Sequence, residues 1–154
     1  NSICAWGPTA LLPIFQMLGT NYLRKDILTR FADDKHRYDA FTKIAFVYPH
    51  AVASLKVGQG VKSEGELVIS GTKGYIYVPA PWWKTEYFEV RYENPQNNKR
   101  YFYQLDGEGL RYELLTFFKA ISTGSNFTYV SDDISHSITQ IIEDFYAQRD
   151  MTII

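Results

Sequence analysis

The chain contains one cysteine, Cys4, among its 154 residues. A single thiol excludes an internal disulfide, so we expect a fold without covalent cross-links in a reducing compartment, the cytoplasm. The formal net charge is −1, which excludes the strongly basic footprint of a nucleic-acid-binding domain. No apolar run approaches about 18 residues, so we expect no membrane partner either.

The sequence also lacks the usual signatures of cofactor and metal sites. Residues 58–63, Gly-Gln-Gly-Val-Lys-Ser, approach the Gly-x-Gly-x-x-Gly pattern. A strand is predicted after them, however, whereas a dinucleotide motif must open a helix. We therefore interpret these residues as a hairpin turn. His36, His50 and His136 are scattered, which argues against a metal site, and Cys4 lies in an apolar run typical of a small core residue.

Two further short patterns have ordinary explanations. Asn126-Phe127-Thr128 matches a glycosylation sequon, but no secretory signal accompanies it. The acidic pairs Asp33-Asp34 and Asp132-Asp133 are interpreted as a loop and as a helix start, respectively. None of these patterns predicts a catalytic site.

Aromatic residues are abundant, at 16% of the chain, and tyrosine is the commonest of them. Together with 45% hydrophobic content, this indicates one globular domain with broad, half-buried sheet faces. Alternating patterns separated by turn residues predict strands joined mostly as hairpins. They cover residues 26–31, 41–48, 51–57, 66–70, 75–78, 87–92 and 100–105, with a short final strand at 151–154.

Three segments have the periodicity of helices. The first runs from a cap at Thr9 to Leu18, with Gly19 as its stop. The second covers residues 109–122, ends at Gly124, and carries a stripe formed by Leu110, Leu114, Phe117, Phe118 and Ile121. The third starts at Ser131 and runs to about residue 148, with a stripe formed by Ile134, Ile138, Ile141, Ile142 and Phe145.

This order of elements predicts an α+β fold, with an open, mostly antiparallel β-sheet and helices packed on one face. The opposite face of the sheet must then be covered by another protein surface. Its tyrosine-rich strands indicate a partner domain or a second subunit.

The best candidate site surrounds Trp82, Trp83 and Lys84, which follow the stiff segment Pro79-Ala80-Pro81. Two large aromatic faces beside a cation suit a polar, ring-shaped ligand. If this segment is extended, the two indoles point in opposite directions, so that one packs and one faces a ligand. Lys62 and Glu64 lie two apart and share a face if they too are extended. The alternative is a structural role, with the tryptophans in a core and the charges in surface pairs.

Arg111 is a further candidate at the predicted start of the second helix. Its guanidinium suits a carboxylate or a phosphate. The alternative is a solvated helix residue.

Residues 65–83 read GELVISGTKGYIYVPAPWW and resemble the central hairpin of the C-terminal domain of the glucose–fructose oxidoreductase/inositol dehydrogenase (Gfo/Idh/MocA) family. The strand YFEVRY, the helix ending at Gly124, the helix from Ser131 and the final strand follow in the family's order. The sequence PWWKTEYFEVRYE further resembles the corresponding segment of a subgroup found in bacterial surface-sugar loci, whose members are sometimes fused to a cytidylyltransferase-like domain.

The resemblance implies one C-terminal substrate and oligomerisation domain, residues 1–154, of an NAD(P)-dependent oxidoreductase acting on a sugar or cyclitol. An N-terminal Rossmann domain, which this chain does not include, would bind NAD or NADP, and this domain alone would bind no cofactor and be inactive. The implied partners are that Rossmann domain, a sugar-like small molecule and a second copy in a dimer or larger homo-oligomer. Lys62, Trp83, Lys84 and Arg111 are the candidate substrate contacts.

The sequence departs from the family pattern in the first helix. The family's Asp-x-x-x-His, or Tyr, is missing from residues 4–19, CAWGPTALLPIFQMLG. Two alternatives therefore remain open: a non-catalytic binding or oligomerisation module of the same fold, and a stand-alone carbohydrate-binding module suggested by the paired tryptophans.

Overall fold

The computed structural model describes residues 1–33, 35–124 and 128–154. Asp34 and the sequon asparagine, Asn126, lie outside the described residues. The chain divides into two compact units, residues 1–62 with 129–154, and residues 63–128. Helices and mostly antiparallel strands confirm the predicted α+β class. The strands belong to two four-stranded sheets, one in each unit, rather than to a single sheet.

The first unit is a sheet covered by two helices. Its elements are α1 (Ser2–Leu18), β1 (Arg24–Asp33), β2 (Tyr38–Val47), β3 (Val52–Gly58), α3 (Asp132–Tyr146) and β8 (Met151–Ile153). The strand order is β3-β2-β1-β8. β1, β2 and β3 pair antiparallel, whereas β8 pairs parallel with β1.

The core of the first unit lies between the helices and one face of this sheet. Ile27 is opposite Ile44, and Ile44 is opposite Leu55, so the strand register brings apolar residues together on that face. Side chains of the intervening positions, such as Lys43 and Lys56, are exposed on the other face. The buried apolar cluster consists of Ile3, Leu11, Phe15, Ile27, Ile44, Phe46, Tyr48, Leu55, Val57, Ile141 and Phe145.

α1 begins at Ser2, so the predicted start at Thr9 is wrong. Asn1 is the cap, and its side-chain oxygen accepts a hydrogen bond from the Cys4 amide at 3.1 Å. Asparagine caps a helix at least as well as threonine, and both Pro8 and Pro13 lie within the helix. Only the predicted stop at Gly19 is confirmed, with a φ of 79°.

Asp39 fixes the beginning of α1 to the sheet. It is fully buried, and one carboxylate oxygen accepts the Ser2 amide at 2.7 Å. The other oxygen accepts the Ile3 amide at 3.0 Å and the Thr42 hydroxyl at 2.8 Å. A negative charge is favourable at this end of a helix, where amide groups lack partners. The carboxylate therefore ties β2 to α1.

Lys25 joins β1 to the C-terminal end of the chain. Its ammonium lies 2.8 Å from a carboxylate oxygen of Asp144 on α3 and 2.5 Å from Asp150, just before β8. Burial disfavours the Lys25 ammonium, but its hydrogen bonds to both carboxylates raise its pKa. Burial likewise opposes ionisation of Asp144, while hydrogen bonds from Lys25 and Gln140 lower its pKa. Both groups are therefore held charged by each other.

The second unit is a meander with one helix. Its elements are β4 (Leu67–Ser70), β5 (Gly74–Val78), β6 (Tyr87–Tyr92), β7 (Lys99–Phe102) and α2 (Leu110–Thr123). The strands pair antiparallel in sequence order. Unlike the first unit, it has no fully buried side chain among its described residues.

Within the described part of the chain, no helix has the length and apolar character needed to cross a membrane.

We expect Asp39→Ala to lower the free energy of unfolding by about 3 kcal/mol or more, because three buried donors lose their acceptor. Chemical denaturation monitored by circular dichroism measures this change. Asp26→Ala is the matched control, since Asp26 is half-exposed and paired with Arg24, and it should cost less than about 0.5 kcal/mol. Equal losses in the two variants would contradict a special role for Asp39.

We expect the Lys25–Asp144 pair to stabilise the fold between an acid and an alkaline limit. Because folding lowers the pKa of Asp144, this carboxylate stabilises the folded state at pH values above its ordinary pKa of 3.8. This contribution is lost as the pH falls through the folded pKa. Because folding raises the pKa of Lys25, this ammonium stabilises the folded state at pH values below its ordinary pKa of 10.5. This contribution is lost as the pH rises through the folded pKa. Urea unfolding across the pH range should therefore show a weaker pH dependence in Lys25→Met/Asp144→Leu. An unchanged profile would show that the pair contributes nothing.

Candidate functional site

The candidate site is built on a short 3-10 turn, Trp82–Lys84, between β5 and β6. The Lys84 amide donates to the Pro81 carbonyl at 2.9 Å, and the Trp82 amide donates to the Gly65 carbonyl at 2.8 Å. The second bond ties the turn to the segment that leads into β4. The turn is not extended, so the condition under which the two indoles would point in opposite directions is not met. Their ring planes are perpendicular, with centroids 6.1 Å apart.

The Trp83 ring packs closely on Gly65. A Cβ atom at position 65 would lie 2.9 Å and 3.0 Å from two carbons of the indole. Trp83 nevertheless exposes 39% of its surface, whereas Trp82 is half-buried. The pair therefore combines packing and exposure, and neither ring belongs to the buried core.

The four predicted contact residues do not all lie in one unit. Trp83 and Lys84 share the 3-10 turn, and Arg111 lies in the first turn of α2, so these three belong to the second unit. Lys62 belongs to the first unit and lies exposed in irregular chain, so no strand places it on one face with Glu64. The Arg111 guanidinium is 3.4 Å from the carboxylate of Asp106. This ion pair is exposed.

The second sheet carries a charged aromatic face, which the sequence alone does not predict. Glu89 accepts hydrogen bonds from the guanidinium of Arg100, at 2.8 Å, and from that of Arg91, at 2.6 Å, and these bonds lower the pKa of Glu89. Arg91 lies 4.4 Å from the ring centre of Tyr77, and Arg100 lies 4.7 Å from that of Tyr87. The alternation in YFEVRY places Tyr87, Glu89 and Arg91 on one face. The residues opposite Glu89 on the neighbouring strands, Tyr77 and Arg100, are set by the strand register, which the alternation does not predict.

The apolar stripe predicted for the second helix exists but is not covered. The exposed fractions of its members lie between 45% and 64%; they are Leu110, Leu114, Phe117, Phe118 and Ile121. By contrast, the stripe on α3 faces the core, where Ile141 and Phe145 are buried and Ile134 and Ile138 pack against them. The exposed stripe of α2 is a second candidate surface, for a protein partner rather than for a small ligand.

Cys4 is exposed, so its predicted role as a core residue is wrong. Its sulfur lies 3.3 Å from the Tyr146 hydroxyl, at the first turn of α1. His36 is exposed in a loop, 2.5 Å from the Asp33 carboxylate. Among the described residues, no group of histidine, cysteine and acidic side chains forms a metal site.

No protein-family model and no curated protein matches the sequence. Solved structures match the fold. A 3-ketoreductase from Actinomadura kijaniata, in complex with NADP and TDP-benzene, has a TM-score of 0.74 at 8% identity over 100% of this chain. Biliverdin reductase from Synechocystis, in complex with biliverdin and NADP+, has a TM-score of 0.68 at 15% identity over 92% of it. Aldose-aldose oxidoreductase from Caulobacter crescentus, complexed with glycerol, has a TM-score of 0.71 at 16% identity over 92%.

The chain spans 47%, 44% and 43% of the length of these three structures, in that order. They are oxidoreductases of the Gfo/Idh/MocA type, and the shared fold is that of a dehydrogenase C-terminal domain. At such low identities, the likeness establishes the fold alone.

Proposed function

We propose that this chain is the substrate-facing and oligomerisation domain of an NAD(P)-dependent oxidoreductase that acts on a sugar or cyclitol. The observation that carries the proposal is the match of the entire chain to less than half of an oxidoreductase that was solved with NADP. In this proposal, an N-terminal Rossmann domain binds NAD or NADP and supplies the remaining catalytic groups. The domain described here binds no cofactor and is inactive by itself.

The uncovered surfaces of the second unit support the proposal of further partners. Its described residues include no fully buried side chain, although α2 carries five exposed apolar residues on one side. Covering apolar surface stabilises a protein by about 25 cal/mol per Å². The proposed occupants of these surfaces are the N-terminal domain of the same protein and a second copy in a homodimer.

In the proposed enzyme, four residues contact the substrate. Trp83 provides a flat apolar surface, and Lys84 follows it on the same turn. Lys62 and Lys84 bind polar or anionic groups, and Arg111 binds a carboxylate or phosphate. The exposed Asp106 carboxylate orients the Arg111 guanidinium.

A non-catalytic binding or oligomerisation module of this fold is the second candidate. It is favoured by the lack of both acidic residues and histidine in residues 4–19, which form most of α1. A carbohydrate-binding module is the third candidate, favoured by the exposed Trp83. These alternatives differ from the first in requiring no nicotinamide chemistry.

We expect a protein comprising this chain and the coding sequence upstream of it to oxidise or reduce sugars or cyclitols with NAD(P). Absorbance of the reduced nicotinamide measures turnover. The 154-residue chain alone should be inactive. Trp83→Ala and Lys84→Ala in the longer protein should each weaken substrate affinity about tenfold, as expected for lost stacking and charge-assisted contacts. Turnover by the short chain, or unchanged kinetics in both variants, would contradict the proposal, and an inactive longer protein would favour the second candidate.

We expect Phe117→Glu to reduce association through α2, because it places a charge within an exposed apolar surface. Light scattering of the purified chain measures its mass against concentration. Lys119→Gln is the control, since it changes the net charge by the same unit about 200° around the helix from Phe117. Equal association of both variants and the parent would show that α2 contributes to no self-interface.

A further inference from the structure

Trp82 and Trp83 form a right-angled pair that we call the aromatic corner. Their planes meet at 90°, and Trp83 exposes 39% of its surface. The face of an aromatic ring carries partial negative charge and attracts weakly positive C–H groups. A saturated ring with its hydroxyl groups near its own plane offers such a C–H face. The geometry of the corner therefore suits a cyclic polyol.

Gly65 positions the Trp83 ring. A Cβ there would lie 2.9 Å from the nearest indole carbon, closer than such atoms approach in proteins. Gly65 is not among the glycines with positive φ. Glycine is therefore required at this position for the close approach of the Trp83 indole, and not for an unusual backbone conformation. The carbonyl of the same residue accepts the Trp82 amide at 2.8 Å. One residue thus contacts both members of the aromatic corner.

Charged side chains flank the aromatic corner along the chain. Glu64 precedes Gly65, Lys84 follows Trp83, and both are exposed. A carboxylate accepts hydrogen bonds and an ammonium donates them, so together they match the two roles of a hydroxyl group. These are the polar groups that would orient a ring stacked on the corner.

We propose that the aromatic corner binds the apolar face of a pyranose or cyclitol ring, with Gly65 as the positioning residue. The choice of ligand rests on the proposed function, but binding at the corner requires neither nicotinamide nor turnover. A nucleobase also stacks on indole rings, so a nucleotide is included in the test as the competing outcome.

Tryptophan fluorescence can report on the aromatic corner alone. The chain has three tryptophans, so Trp6→Phe leaves only the two of the corner. This variant is titrated with D-glucose, myo-inositol, the open-chain polyol sorbitol, and uridine monophosphate. We expect a saturable change in the millimolar range with glucose or inositol, and none with sorbitol or the nucleotide.

Variants in the Trp6→Phe background separate positioning from folding. We expect Gly65→Ala to weaken binding at least fivefold and Trp83→Leu to abolish it, whereas Ser63→Ala on the same segment should leave the affinity unchanged. Circular dichroism checks that each variant is folded. If Gly65→Ala does not fold, binding by Ser63→Ala and its loss in Trp83→Leu still support the aromatic corner.

Several results would overturn the inference: no saturable response to either ring compound, an equal response to sorbitol, binding of the nucleotide alone, or undiminished affinity in folded Trp83→Leu. Undiminished affinity in folded Gly65→Ala would overturn the positioning role. Sugar binding by this chain, together with no nicotinamide-dependent turnover by the longer protein, would support the aromatic corner and contradict the proposed oxidoreductase. Turnover by the longer protein without binding at the aromatic corner would support the oxidoreductase and contradict the corner.

Discussion

The uneven distribution of buried apolar surface governs the rest of this structure. The buried apolar cluster lies entirely in the first unit, between α1, α3 and one face of the β3-β2-β1-β8 sheet. The second unit has a four-stranded meander and an amphipathic helix, yet no described residue in it is fully buried. A helix as short as α2 is marginal in water without packing partners. The proposed domain and subunit partners would supply the packing that the second unit lacks.

The first unit combines its apolar core with two buried ionic anchors. Asp39 binds the amides that open α1, and Lys25 joins β1 to Asp144 on α3 and to Asp150 before β8. Residues 2 and 150 are at opposite ends of the sequence, so these contacts hold both ends of the chain against the sheet. In the described part of the chain, every buried side-chain polar atom has a hydrogen-bond partner. The anchors thus fix the arrangement without leaving an unpaired polar group.

The sequence was sufficient to predict the position of the candidate site but not its geometry. Tryptophans and a lysine after two prolines indicated a ligand surface at Trp82–Lys84, and the structure places them on one 3-10 turn. The closeness of Gly65 to Trp83 was not predictable, because it depends on a segment 18 residues earlier in the chain. The Arg91–Glu89–Arg100 cluster was not predictable either, since it requires the pairing of β6 with β7. The exposure of Cys4 was not predictable, because an apolar neighbourhood in sequence does not decide which side of a helix is covered.

The sequence by itself determined the type and order of the elements. Period-2 alternation predicted the strands, helical periodicity predicted α2 and α3, and glycines marked the ends of α1 and α2. These signals are local, so neighbouring residues are sufficient to set them. Tertiary structure alone decided which stripes are covered: the stripe on α3 is packed in the core, while that on α2 is exposed. Periodicity defines an apolar face, but burial depends on surfaces brought together from distant parts of the chain.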